Sequence, residues 1–119
     1  MERTTIVKTL VSDLVTHLTV SGNFVRGEDS AGAVWKMVQH CAQPGLATLV
    51  MDLGGVVRLD AAGIGVLASA YRAARSHGAQ VLLANTPGFI QRLLALTRLD
   101  GIFPSVQSAL NGSGELGGR

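Results

Sequence analysis

The sequence predicts an α/β domain in which an N-terminal β-hairpin is followed by alternating helices and strands. Three observations carry this reading. Residues 4 to 11 and 14 to 21 are rich in Thr, Val, Ile and Leu and flank Ser12-Asp13, the polar break of a hairpin. Leu46 to Leu53 is an almost unbroken apolar run and Val81 to Ala84 a shorter one, the pattern of strands covered on both faces. Around these runs, apolar residues recur at spacings of three and four, the period of helices with one buried stripe. Strand, helix, strand, helix in this order implies right-handed parallel crossovers.

In the second hairpin run, Leu14, Thr16, Leu18 and Val20 share one face and Val15, His17, Thr19 and Ser21 the other, so one buried side is expected. Gly22 to Gly27 reads as a loop. Glu28, Asp29 and Ser30 then supply the acid and cap of a first helix, which stops before Pro44-Gly45. Its stripe is Val34, Met37, Val38 and Cys41, with Trp35 at the edge. Asp60 caps a second helix that turns Ile64, Leu67, Ala68, Tyr71 and Ala74 inward and ends at His77-Gly78. Pro87 suits the first turn of a third helix, with Ile90, Leu93, Leu94 and Thr97 on its buried face. Ile102-Phe103 is expected as a last short strand and Ser105 to Leu110 as a terminal helix. The domain is thus expected over residues 1–110, and the glycine-rich stretch 111–119 is expected to be a flexible tail.

An apolar fraction of 47% with 15% charged residues fits one globular core in 119 residues. The net charge is +2, and the ten Lys and Arg are scattered from Arg3 to Arg119. Nucleic-acid binding, which needs a concentrated basic stripe, is therefore not expected. No apolar run reaches the roughly 20 residues of a membrane span, and the N-terminus lacks a signal-peptide core, so the cytoplasm is the expected compartment and no membrane insertion is expected. Cys41 is the single cysteine, which excludes an intrachain disulfide.

No serine, histidine and acid fall into a nucleophile–base pattern, and no metal or cofactor motif is present, so the expectation is a protein that is not an enzyme and needs no cofactor. Gly63 and Gly65 lack the Lys-Ser/Thr that follows a phosphate-cradling loop. Asp60 reads as a helix N-cap with partner contact as an added role. Asp52, an acid in an apolar strand, is placed beside it at the strand's C-terminal end, making either a structural hydrogen bond or a partner contact.

The segment Leu59-Asp60-Ala61-Ala62-Gly63-Ile64-Gly65-Val66-Leu67 puts small residues and an acid at the start of a helix, an exposed docking knob. Together with Gly22-x-Phe24-Val25-x-Gly27-Glu28, Arg75 to Gly78 ahead of a Val-Leu-Leu strand, and Leu93-Leu94-x-Leu-Thr-x-Leu-x-x-x-Phe103, it resembles the STAS family. The resemblance implies the STAS (SpoIIAA-like) fold: a mixed β-sheet with helices packed mainly on one face. It implies an anti-sigma factor antagonist that binds an anti-sigma factor of the GHKL serine-kinase type and frees the sigma factor. The contact residues it implies are Asp60, Ala61, Ala62, Gly63, Ile64, Arg72, Asn23 and Val25.

In such antagonists a Ser or Thr follows the Asp. Its phosphorylation breaks the complex and a PP2C-type phosphatase restores it. Here that position is Ala61, whose carbon cannot accept a phosphoryl group, and Val25 stands where many antagonists carry an acid. A domain no longer controlled by phosphorylation and a Ser-to-Ala variant both fit. A second class within the family also fits: an accessory or scaffold STAS subunit, such as the small partner of a lipid-transport ABC ATPase or a component of a stressosome-like assembly.

Overall fold

The computed structural model describes residues 3–103. The hairpin forms from β1 (Thr5–Leu10) and β2 (Val15–Phe24), paired antiparallel from Thr5 opposite Ser21 to Leu10 opposite Thr16. There follow α1 (Ala31–Cys41), β3 (Thr48–Leu59), α2 (Ala61–Arg75), β4 (Gln80–Ala84) and α3 (Gly88–Leu96). The sheet order is β1-β2-β3-β4, with β3 parallel to both β2 and β4. Both crossovers step the same way across the sheet, so crossovers of one hand put their helices on the same face. That face supplies Leu18, Val20 and Phe24 of β2 and Leu49, Met51 and Leu53 of β3 to a single core with Val34 and Val38 of α1, Leu67, Ala70 and Ala74 of α2, and Ile90 and Leu94 of α3. The resulting architecture, a mixed four-stranded sheet with its helices on one face, is the one the resemblance implies.

The opposite face is only half covered: Val15, His17 and Thr19 of β2 and Thr48, Val50 and Asp52 of β3 are half-buried. The apolar run over 46–53 is therefore covered fully on one side, not two. Both central strands also run longer than their sequence signals. Beyond two register irregularities, β2 continues through Gly22-Asn23-Phe24, a segment that reads as loop in the sequence, against Val56, Arg58 and Leu59. Gly22 permits this with φ of +78°, a region that penalises a side chain. A Cβ there would also lie 1.7 Å from the Arg3 carbonyl oxygen.

The α2 stripe is rotated from the expected one. Gly63, Val66, Leu67, Ala70 and Ala74 are buried, while Ile64, Ala68 and Tyr71 sit half-buried at its border. In α3 Ile90 and Leu94 are buried and Leu93 half-buried, but Thr97 is exposed; its hydroxyl donates to the Leu93 carbonyl at 2.9 Å and closes the helix. Pro87 occupies the capping position just before the helix, not its first turn. Ser30 makes no side-chain cap to α1; its hydroxyl accepts from the Val25 N–H and donates to the Asn23 carbonyl, pinning the end of β2. Ile102-Phe103 forms no strand. Phe103 is buried from a turn, edge-on to Tyr71 at 5.8 Å. Cys41 and Trp35 take the places expected of them, buried and half-buried on the core side of α1. The expected helix over 105–110 and the tail over 111–119 lie outside the described residues.

Candidate functional site

The knob is built at the junction of β3 and α2. Asp60 is extended (φ −122°, ψ −171°), so its carboxylate folds over the first helical turn. Oδ1 accepts from the N–H groups of Ala62 (3.0 Å) and Gly63 (3.2 Å), two donors the helix itself leaves unpaired. Oδ2 accepts from the Arg26 N–H at 3.0 Å. One carboxylate thus ties the α2 N-terminus to the loop between β2 and α1. The Arg26 amide is the largest of the influences that hold the Asp60 carboxyl below its ordinary value of 3.8, with the Gly63 and Ala62 amides adding to it.

Gly63 seats the helix start on the sheet. It is buried, and a Cβ there would meet the Phe24 carbonyl oxygen at 2.5 Å and Leu59 Cδ1 at 2.6 Å, so only glycine lets the turn rest on the ends of β2 and β3. Ala61 faces solvent at the first helical position, Ala62 and Ile64 are half-buried against the core, and Gly65 is exposed with open space at its Cβ position. Ala61, Gly65, Ala68 and Arg72 follow one another at helical spacing, a shallow stripe of small residues about 16 Å long ending in a cation. Arg72 is exposed, with Nη2 3.2 Å from the Ser69 hydroxyl.

Asn23 and Val25 lie at the end of β2, both half-buried. The Asn23 carbonyl accepts hydrogen bonds from the Thr4 and Ser30 hydroxyls; the Val25 N–H and carbonyl bond Ser30 and Ala31. The fold therefore brings Asp60, Ala61, Ala62, Gly63 and Ile64 together with the 23–26 segment, while Arg72 stands about three turns away along α2. A concavity of about 550 Å³ opens beside that segment, lined by Arg3, Thr4, Asn23, Arg26 and Asp29 among others.

Sequence reasoning missed Arg26, joined to the knob through its backbone, and the run of β3 through the exposed Val57 and Arg58 up to the knob. The last two follow Gly54-Gly55, which resembles the end of a strand. In the fold Gly55 instead lets β2 approach, since a Cβ there would sit 2.7 Å from that of Ser21. Asp52 is not beside the knob. It lies within β3 on the half-covered face, accepting from the Gly54 N–H and Asn85 Nδ2, each at 2.9 Å, with His17 Nε2 3.8 Å away. Its carboxylate ties β3 to the β4–α3 turn through Asn85 and faces His17 of β2, which gives it structural hydrogen bonds.

Among solved structures, the unphosphorylated form of the anti-sigma factor antagonist SpoIIAA is similar over 92% of this chain and 96% of its own, at 11% identity and a TM-score of 0.74. The phosphorylated form of this Bacillus cell-fate determinant matches over 90% and 97%, also at 11% identity, with a TM-score of 0.70. An anti-sigma factor antagonist from Mycobacterium paratuberculosis is 24% identical over 90% of this chain and 91% of its own, at a TM-score of 0.72. At these identities the likeness is one of fold. A family model described as "Mlab, STAS domain" matches residues 11–107, and the chain therefore belongs to the STAS domain family.

Proposed function

We propose that this chain is an anti-sigma factor antagonist that works by contact, binding an anti-sigma factor of the GHKL serine-kinase type through the α2 N-terminal turn and so releasing the sigma factor. The observation that carries the reading is the double clamp of Asp60, which fixes the first turn of α2 to the β2–α1 loop and leaves Ala61 and Gly65 facing out. A preorganised surface of small residues costs little ordering on binding and allows a partner backbone to come close. The contact residues are Asp60, Ala61, Ala62 and Ile64, seated on the buried Gly63, with Asn23 and Val25 on one side and Arg72 farther along the helix. Because Ala61 carries no hydroxyl, the chain stays in its binding form. A phosphate at this position would bring a charge of about −1.5 to −2 into the contact and expel the partner.

Ala61→Ser tests this. Incubated with source lysate and ATP, the variant should acquire phosphate at residue 61 and then release a GHKL-type kinase that the unmodified chain retains. A second reading, an accessory STAS subunit bracing a transporter ATPase, is favoured by the MlaB description of the matching family model and by Ala61 itself. Under it, both forms would retain the ATPase and neither would gain phosphate.

A further inference from the structure

β1 is an edge strand whose outer side has no neighbour among the described residues. It carries one lysine and no proline, so the usual guards of an edge are sparse. Four of the six exposed large hydrophobic residues among the described residues, Val7, Leu10, Val11 and Leu14, lie on this strand and its hairpin tip. The register identifies which backbone groups are free. Val11 donates to the Val15 carbonyl at 3.0 Å, in line with the pairing of Leu10 with Thr16. Alternation along an antiparallel ladder then turns the N–H and C=O of Thr9, Val7 and Thr5 toward β2 and those of Ile6, Lys8 and Leu10 outward.

We infer that β1 pairs antiparallel with the β1 of a second copy of this chain, about a two-fold axis at Val7, joining two four-stranded sheets into one of eight strands. An axis perpendicular to the sheet keeps each residue on its own face, so it must pass through a residue. Only axes at Val7 or Lys8 keep five residues of each β1 in the new ladder. The Lys8 axis sets two ammonium groups directly opposite each other, which is destabilising. The Val7 axis sets Val7 against the partner's Val7, Thr5 against the partner's Thr9, and Lys8 against the partner's Ile6, with no like charges opposed. The Thr-x-Val-x-Thr pattern of β1 is a palindrome about that axis, the self-complementarity an isologous interface needs. The outward N–H and C=O of Ile6 and Lys8 then bond their counterparts, and Val7 becomes a non-hydrogen-bonded pair with Cα atoms about 4.5 Å apart.

That spacing is within reach of a disulfide. In a Cys41→Ala background, Val7→Cys under mild oxidation should form a covalent dimer at least roughly tenfold faster than Thr9→Cys, whose two copies would lie about 14 Å apart along the strands. Light scattering at about 100 μM should give twice the monomer mass. Lys8→Pro, which deletes only an outward N–H, should return the monomer mass with an unchanged circular dichroism spectrum. A monomer mass for the unmodified chain, or equal cross-linking of the two cysteines, overturns the inference.

Discussion

Replacing Asp60 by alanine removes three hydrogen bonds at once, and their sum can be worked out from the geometry. Two of them, to Ala62 and Gly63, are the helix N-cap, whose loss typically costs about 1 kcal/mol. The third, from Arg26, joins an amide to an ionised but exposed oxygen and adds about 1 kcal/mol at most. The expected loss is about 2 kcal/mol, or a fall in Tm of roughly 8–12 °C for a domain of this size. Asp60→Asn keeps one acceptor for the Ala62 and Gly63 N–H groups but sets an NH2 against the Arg26 N–H, so it forfeits that bond together with the charge–dipole term, about 1–1.5 kcal/mol. Urea unfolding followed by circular dichroism measures both.

The pH dependence has a definite sign. The folded carboxyl titrates below its ordinary value of 3.8, so its contribution is present in full above about pH 4 and declines as pH falls through the depressed folded value. The unmodified and Asp60→Ala curves should therefore lie apart at pH 7 and draw together in strong acid. A difference under about 0.5 kcal/mol at pH 7, or one that stays constant down to about pH 2, would refute the clamp as the organiser of the knob.

Other consequences are as open to measurement. Gly22 and Gly78 have nearly the same φ, +78° and +76°, yet a Cβ at Gly22 overlaps the Arg3 carbonyl while one at Gly78 meets nothing within 4 Å. Gly78→Ala should cost only the left-handed penalty, about 1–2 kcal/mol, whereas Gly22→Ala adds a backbone displacement for about 2–5 kcal/mol in all, read from denaturant midpoints. Gly63→Ala must push the α2 turn off the ends of β2 and β3, so it should lower stability by about 1–3 kcal/mol and weaken partner binding by more than that loss explains. Ala61→Ser, by contrast, places a hydroxyl in solvent at an exposed position and should change stability by less than about 0.5 kcal/mol while making residue 61 phosphorylatable.

Much of this fold was legible because local chemistry and long-range packing agree. Ser12-Asp13 breaks the hairpin, Asp60 caps α2, and Val34, Val38 and Cys41 face the core as their spacing requires. The failures share a cause: they depend on what a residue meets across the sheet. Gly54-Gly55 looks like punctuation, but it lies inside β3, where Gly55 makes room for Ser21, and this concealed Val57 and Arg58. Gly22 reads as a loop residue and is instead a bend inside β2 over which the Arg3 carbonyl passes. Ser30 has the composition of a cap, yet its hydroxyl is taken by Val25 and Asn23. Arg26 enters the site through its backbone N–H, which no side-chain pattern can announce.

The central claim, that the exposed stripe of α2 is the surface that takes a partner, is tested most directly at Gly65. Its Cβ position is open, so Gly65→Glu plants a charge in the middle of the stripe without disturbing the core; Leu96→Asp on the exposed end of α3 serves as the remote control. The measurement is the affinity of each form for the protein that the unmodified chain retains from source lysate with ATP, identified by mass spectrometry. A GHKL-type kinase that binds the unmodified and Leu96→Asp forms alike but loses at least roughly 100-fold in affinity for Gly65→Glu is the predicted result. Equal binding by all three forms would contradict the account, and so would recovery of a transporter ATPase in place of the kinase.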